Sequence, residues 1–165
     1  MPATYEKIAT TTLGSATNII SFTSISSAYT DLRLVVVLKA TSGATNNLNL
    51  TYNSDTGSNY SYVRLGGDGA SATSAQFSNN ANIRTGTGSV PISGIGFWAF
   101  DIFSYAGSTN KTTLIEQSLD ANGSGTVVRA CDLWRSTSAI TRIDCNFSNN
   151  AEIGTTATLY GILKA

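Results

Sequence analysis

The chain has 165 residues, of which only 12% are charged, with ten basic and ten acidic side chains. That balance leaves no basic patch to neutralise a phosphate backbone, which excludes nucleic acid as a partner. It has no histidine and only two cysteines, Cys131 and Cys145, which removes the usual zinc-ligand spacings and histidine-based nucleophilic catalysis.

The start, MPATYEKIATTTLG, lacks the apolar run of a signal peptide, so none is expected. No stretch of about 18 apolar residues follows, and no membrane-spanning helix is expected. Serine, threonine and asparagine number 58, a composition that can signal disorder. Here 41% of residues are apolar and they alternate in short runs, so the uncharged polar residues are read as the wet face of strands.

Taken in chain order, a short strand is expected near residues 4–9 and another over 16–22, ATNIISF. SISSAYTDL has room for one short turn. In DLRLVVVLKA, Leu32, Leu34, Val36, Leu38 and Ala40 share one face, and Asp31, Arg33, Val35, Val37 and Lys39 the other. TSGATN then turns the chain into LNLTYN, where Leu48, Leu50 and Tyr52 oppose Asn49, Thr51 and Asn53. Further strands are expected over 60–65, 90–106, 111–121, 125–134, 139–147 and 156–164, with shorter ones near 71–77 and 81–85. LIEQSL carries a weak helical pattern, but its flanking threonines favour strand. Glycine, asparagine and serine clusters separate these runs, and both prolines, Pro2 and Pro91, sit at element starts. The expectation is one all-β domain over residues 1–165, a jelly-roll-like β-sandwich of about eight to ten antiparallel strands with essentially no helix. Residues 1–12 read as an N-terminal arm or an edge strand. A hairpin of 126–134 with 139–147 would place Cys131 and Cys145 out of direct register, so two buried free thiols are expected.

One segment is apolar on both faces. In ISGIGFWAFDIFSYA, Trp98, Phe100 and Ile102 fall on one side, and Ile95, Phe97, Ala99, Phe103 and Tyr105 on the other, with Asp101 among them. Near the C-terminus, Leu159 and Leu163 oppose Tyr160 and Ile162. A solvent-bounded antiparallel strand has one wet face. Something therefore covers the second: another layer of the same chain, or a neighbouring subunit. Phe97, Trp98, Phe100, Phe103, Tyr105, Tyr160 and Ile162 are the candidate subunit or capsid interface.

Chemistry finds little purchase. Lys7, Lys39, Lys111 and Lys164 are available for a Ser-Lys pair, but no local pattern supports one. No GxxxxGK[ST] occurs, and GTGTGSVPISGIG lacks the dinucleotide spacing. Asp101, Glu116, Asp120, Asp132 and Asp144 lie in or beside strands, where solvent-facing or edge positions explain them as well as a glycosidase pair does. NSDTGS at 53–58 and DANGSG at 120–125 start like calcium loops without a closing glutamate, and read better as turns. No catalytic residue, metal ligand or cofactor is assigned, and the chain is not expected to be an enzyme.

Five stretches read together are more specific: TDLRLVVVLKA, YNSDTGSNYSYVRLGGDG, FDIFSYAGSTNKT, LWRSTSAITRI and the terminal TLYGI. Their order and spacing, over nearly the whole chain, resemble a group of small all-β virion proteins of tailed bacteriophages, including cyanophages. The resemblance implies a structural virion component. Its most economical form is a homotrimeric cement or decoration protein, made in the host cytoplasm and placed on the outer surface of the phage capsid, with itself and the major capsid protein as partners. It also reads NSDTGSNYSYVRLGGDG as turn chemistry, with glycines supplying positive φ. The alternative is a tail-fibre or tail-tip domain binding host surface glycans, with Tyr60, Tyr62, Arg64 and Asp68 as the sugar site.

Overall fold

A computed structural model describes residues 4–86, 88–120 and 124–163. Among these residues there is no helix; twelve strands form two antiparallel sheets. The strands are β1 (Tyr5–Thr12), β2 (Thr17–Phe22), β3 (Asp31–Lys39), β4 (Leu48–Tyr52), β5 (Tyr60–Gly67) and β6 (Ala72–Asn80). They continue as β7 (Ile83–Arg84), β8 (Ile95–Phe103), β9 (Lys111–Asp120), β10 (Gly125–Trp134), β11 (Ile143–Ala151) and β12 (Thr156–Ile162). The all-β sandwich expectation holds, with twelve strands among the described residues rather than about eight to ten; β6 and the two-residue β7 correspond to the short strands expected near 71–77 and 81–85.

The larger sheet has the order β1-β12-β3-β8-β9-β10-β5-β6, and the smaller β2-β11-β4-β7. Four pairs are nested: β1 with β12, β2 with β11, β3 with β8, and β4 with β7. Successive members of this series alternate between the two sheets, so the chain crosses the sandwich at nearly every turn. Two hairpins, β5–β6 and β9–β10, interrupt the series. Both join the larger sheet, where β10 pairs with β5, and they extend it beyond the smaller one.

The core follows from the alternation. On β3, Leu32, Leu34, Val36 and Leu38 are all fully buried, while the intervening residues are half-exposed. They form one cluster with Trp98, Phe100 and Ile102 of β8, Leu48, Leu50 and Tyr52 of β4, and Ile143, Cys145 and Phe147 of β11. Each such side chain contributes ~1.5–3 kcal/mol by leaving water. Residues from both sheets share this cluster, which is what makes the two sheets a sandwich.

The hairpin expected from 126–134 and 139–147 does not form. β10 has β9 on one side and β5 on the other, so it has no free edge, and β11 lies in the opposite sheet between β2 and β4. The connection between them is pinned by Asn53, whose Oδ1 accepts from Thr141 N (2.9 Å) and Arg142 N (3.1 Å) while its Nδ2 donates to Ala139 O (2.8 Å). Both thiols are free, but only Cys145 is buried; Cys131 is exposed on the outer side of β10, which corrects the expectation of two buried thiols. Burial pushes the Cys145 thiol well up. Among the described residues β1 is an edge strand of the larger sheet, paired with β12 alone.

Candidate functional site

The stretch NSDTGSNY is a turn with a built interior. Asn53 and Ser54 carry the left-handed conformations, at φ 51° and 57°. The Asp55 carboxylate accepts from Gly57 N (2.8 Å), Asn59 Nδ2 (2.9 Å) and the indole of Trp134 (2.7 Å). Burial pushes the Asp55 pKa up, but these three donors outweigh it and hold it below the usual value. A carboxylate surrounded by donors in this way offers little to a calcium ion. Behind it, Tyr60 stacks on Trp134 at 6.3 Å, and its hydroxyl donates to Asp55 O and accepts from Tyr52 N, both at 3.1 Å. Asp55→Ala is expected to destabilise the fold by about 2–3 kcal/mol, because it leaves the indole N–H without its acceptor. Urea titration of the variant measures this, and an unchanged midpoint would show that the turn contributes nothing to stability.

The residues of the sugar-site alternative do not meet on the surface. Tyr60 is fully enclosed. Tyr62 is buried under Phe77, with ring centroids 5.0 Å apart, and Arg64 lies 6.0 Å from the Tyr62 ring. Asp68 is at the tip of the β5–β6 turn, where it accepts from Ala70 N (3.0 Å) and Ser71 N (2.8 Å). Tyr60, Tyr62 and Arg64 do share a face, as alternation requires, but it is the inward one. Positive φ in this turn falls on Gly69, at 89°, whereas Gly66 and Gly67 lie within β5. A Cβ at Gly66 would stand 3.2 Å from Val128 Cγ2, so that glycine supplies space rather than a turn.

Other candidates resolve similarly. Lys111 is fully buried, and its ammonium donates to the carbonyls of Gly107 and Thr109, closing the turn before β9. Asp101 pairs with Arg33 (2.8 Å), Glu116 with Arg129, and Asp144 with Arg142 (2.9 Å). Among the described residues no three His, Cys, Asp or Glu side chains gather as a metal site. Residues 121–123 of the DANGSG turn lie outside the described residues.

The outer face of the larger sheet is different. Its registered rungs run across β3, β8, β9, β10 and β5. One reads Val37, Phe97, Ser118, Val127 and Gly67. The next reads Val35, Ala99, Glu116, Arg129 and Leu65, and the third Arg33, Asp101, Leu114, Cys131 and Val63. Ile95, Phe97, Phe103, Val63, Leu65 and Val127 are each between 38% and 67% exposed on this face. The four charges within these three rungs pair as Arg33 with Asp101 and Arg129 with Glu116. Between β9 and β6 the face is concave. A groove of 480 Å³ is lined by Ser61, Val63, Gln76, Thr112, Cys131 and Leu133, and an apolar hollow of 280 Å³ adjoins it through Val63 and Cys131.

The expected interface is therefore split. Phe97 and Phe103 are exposed on the outer face, with Tyr160 and Ile162 half-buried on the same side. Trp98 and Phe100 point into the sandwich and are fully buried, so the second sheet is what covers them. Tyr105 is also fully buried; its hydroxyl donates to Ser26 O and tucks the turn after β8 against the β2–β3 connection. Sequence reasoning left Val63, Leu65, Val127 and Ile95 out of the interface. The signal for the first two was present, since they oppose Tyr60 and Tyr62 in the alternation. No protein family, curated protein or solved structure matches this chain.

Proposed function

We propose that the chain is a structural protein of a tailed-phage virion, a homotrimeric cement protein that docks on the outer surface of the capsid and stabilises the head by bridging capsomers. The observation that carries this reading is the outer face of the larger sheet, where Ile95, Phe97, Phe103, Val63, Leu65 and Val127 stand uncovered around internally paired charges. An exposed apolar surface of that extent on a soluble domain marks a protein-protein contact. Paired charges lower the cost of drying it. We also read the four nested strand pairs as a jelly roll interrupted by two hairpins, in keeping with the resemblance of the sequence to small phage virion proteins.

The mechanism is linkage without chemistry. A protein that binds the assembled lattice and not the separated subunits stabilises the lattice by mass action. Three modest contacts on one trimer reinforce one another through effective concentration. Antibody against this chain is expected to label virion heads in negative-stain images, and label at the tail alone would overturn the cement role. Phe97→Asp is expected to keep the fold, since the side chain is 38% exposed, while weakening trimer formation roughly tenfold or more. Light scattering on the purified chain reads this, and a monomeric parent protein or an undisturbed variant trimer would overturn the assigned face.

A further inference from the structure

The two edges of the larger sheet are built differently. The β1 edge carries Glu6 and Lys7 and a bulge between Lys7 and Ala9, all of which discourage pairing with another strand. The β6 edge, ATSAQFSNN, has nine residues with no charge and no proline. Its register with β5 is regular from Ala72 to Phe77 and shifts only at the Tyr60–Tyr62 end. It is largely exposed on both faces, because the hairpin extends past the smaller sheet. No strand among the described residues pairs with its far side. A long, regular, uncharged edge of this kind presents backbone donors and acceptors to an added strand.

We propose that β6 docks edge to edge with β6 of a second copy, in an antiparallel pair centred on Gln76. The argument for a second copy lies in the strand itself. An antiparallel dyad sets a sequence against its own reverse. Serine stands two residues from Gln76 on either side, at Ser74 and Ser78, so that pattern reads the same in both directions. The dyad places Ser74 opposite Ser78 of the second copy, and the two Gln76 amides opposite each other. On the other face, Ala75 meets Phe77 of the second copy, and the same large-to-small contact recurs by symmetry. Phe77 is 43% exposed in the single chain although it already stacks on Tyr62, so its open side is the side the added strand covers. No charge is dried in the contact. Gln76 borders the outer face beside Val63, but this contact is made by the backbone edge of β6, so the inference does not rest on the trimer reading.

The test uses the full chain carrying Gln76→Lys or Gln76→Glu at an exposed position where folding is undisturbed. Each variant alone places like charges on the dyad and is expected to weaken the pairwise contact roughly tenfold or more in sedimentation velocity. An equal mixture is expected to regain it, because lysine then faces glutamate. Unchanged single variants, or a mixture that fails to recover, would overturn the proposal. Phe97→Asp acts on the trimer and leaves this contact intact, so failure of either reading shows separately. As a second readout, Gln76→Cys in a Cys131→Ser background is expected to give a covalent dimer when diamide oxidises the two facing thiols. A folded variant that yields none would also overturn it. The same holds if Gln76→Lys loses binding to capsids while self-association is unchanged, since the edge would then belong to another protein.

Discussion

Trp98→Ala is expected to lower the stability of the isolated chain by about 3–5 kcal/mol, a large share of the ~5–15 kcal/mol that holds a domain of this size. The indole is fully buried on β8, flanked by Val36 of β3 and Gln117 of β9 in register. It lies over Gly96, where a Cβ would come within 2.6 Å of the ring, and Val90 stands 2.6 Å from the same point. Glycine at 96 makes the room that tryptophan at 98 fills, and it has no side chain with which to refill the space. The indole N–H has no acceptor among the described residues, so its removal returns ~1 kcal/mol, too little to offset the cavity. The neighbouring Phe97→Ala is the control. That ring is on the opposite face and 38% exposed, so its loss is expected to cost under about 1 kcal/mol in the unassociated chain and to show in self-association instead. Urea titration of both variants at a concentration where the protein is monomeric decides the matter. Similar losses at 97 and 98 would mean that the two faces of β8 are not distinguished as described.

The contrast between these adjacent residues also marks how far the sequence could be read. Alternation assigned Leu32, Leu34, Val36 and Leu38 to one face, and all four are buried. It put Trp98 and Phe100 opposite Phe97 and Phe103 correctly, but period two names two faces without naming which is covered. That depends on the other sheet, whose β4 and β11 come from distant parts of the chain. For the same reason 126–134 and 139–147 looked like a hairpin. Both segments alternate cleanly, yet nothing local says that the chain crosses between sheets at 135–142. The crossing is fixed by Asn53, far away in sequence, and by Arg135, whose guanidinium bonds Ser58 O (2.7 Å) and Asn79 Oδ1 (3.0 Å). The tyrosines of YSYVRL were assigned one shared face, as they have, but an aromatic stripe reads alike whether it meets solvent or core. β6 was legible only in outline, because ATSAQFSNN is polar on both sides.

Asp132 gives the second large effect, and its sign is unusual for a carboxylate. It lies on the inward face of β10 near its C-terminal end, between Tyr62 of β5 and Thr113 of β9 in register, and is 1% exposed. Neither carboxylate oxygen has a hydrogen-bond partner among the described residues. The nearby Tyr52 hydroxyl is bonded to Thr113 (2.7 Å) rather than to Asp132. Burial alone pushes the Asp132 pKa up to about 8. The folded chain therefore keeps this proton up to about pH 8, whereas the unfolded chain releases it near pH ~4. Between those values the folded state binds the extra proton, so stability falls as pH rises, by ~1.4 kcal/mol per unit and on the order of 5 kcal/mol across the window. Above about pH 8 the group is ionised in both states and the curve levels. Asp55 and Asp144 act in the opposite direction. In each, burial raises the pKa but hydrogen bonds outweigh it, with the Arg142 ion pair adding at Asp144, so their pKa values are lowered. Their stabilisation is present above pH ~4 and is lost as acid protonates them. Asp132 thus makes the folded chain less stable at neutral pH than in mild acid, while Asp55 and Asp144 favour it against stronger acid. Asp132→Asn removes the falling limb while keeping the shape of the side chain. Urea midpoints measured from about pH 5 to 9 are expected to decline in the parent protein and to stay nearly level in the variant. Equal slopes in the two proteins, or a parent protein that gains stability over that range, would show that Asp132 is ionised and compensated in the folded chain.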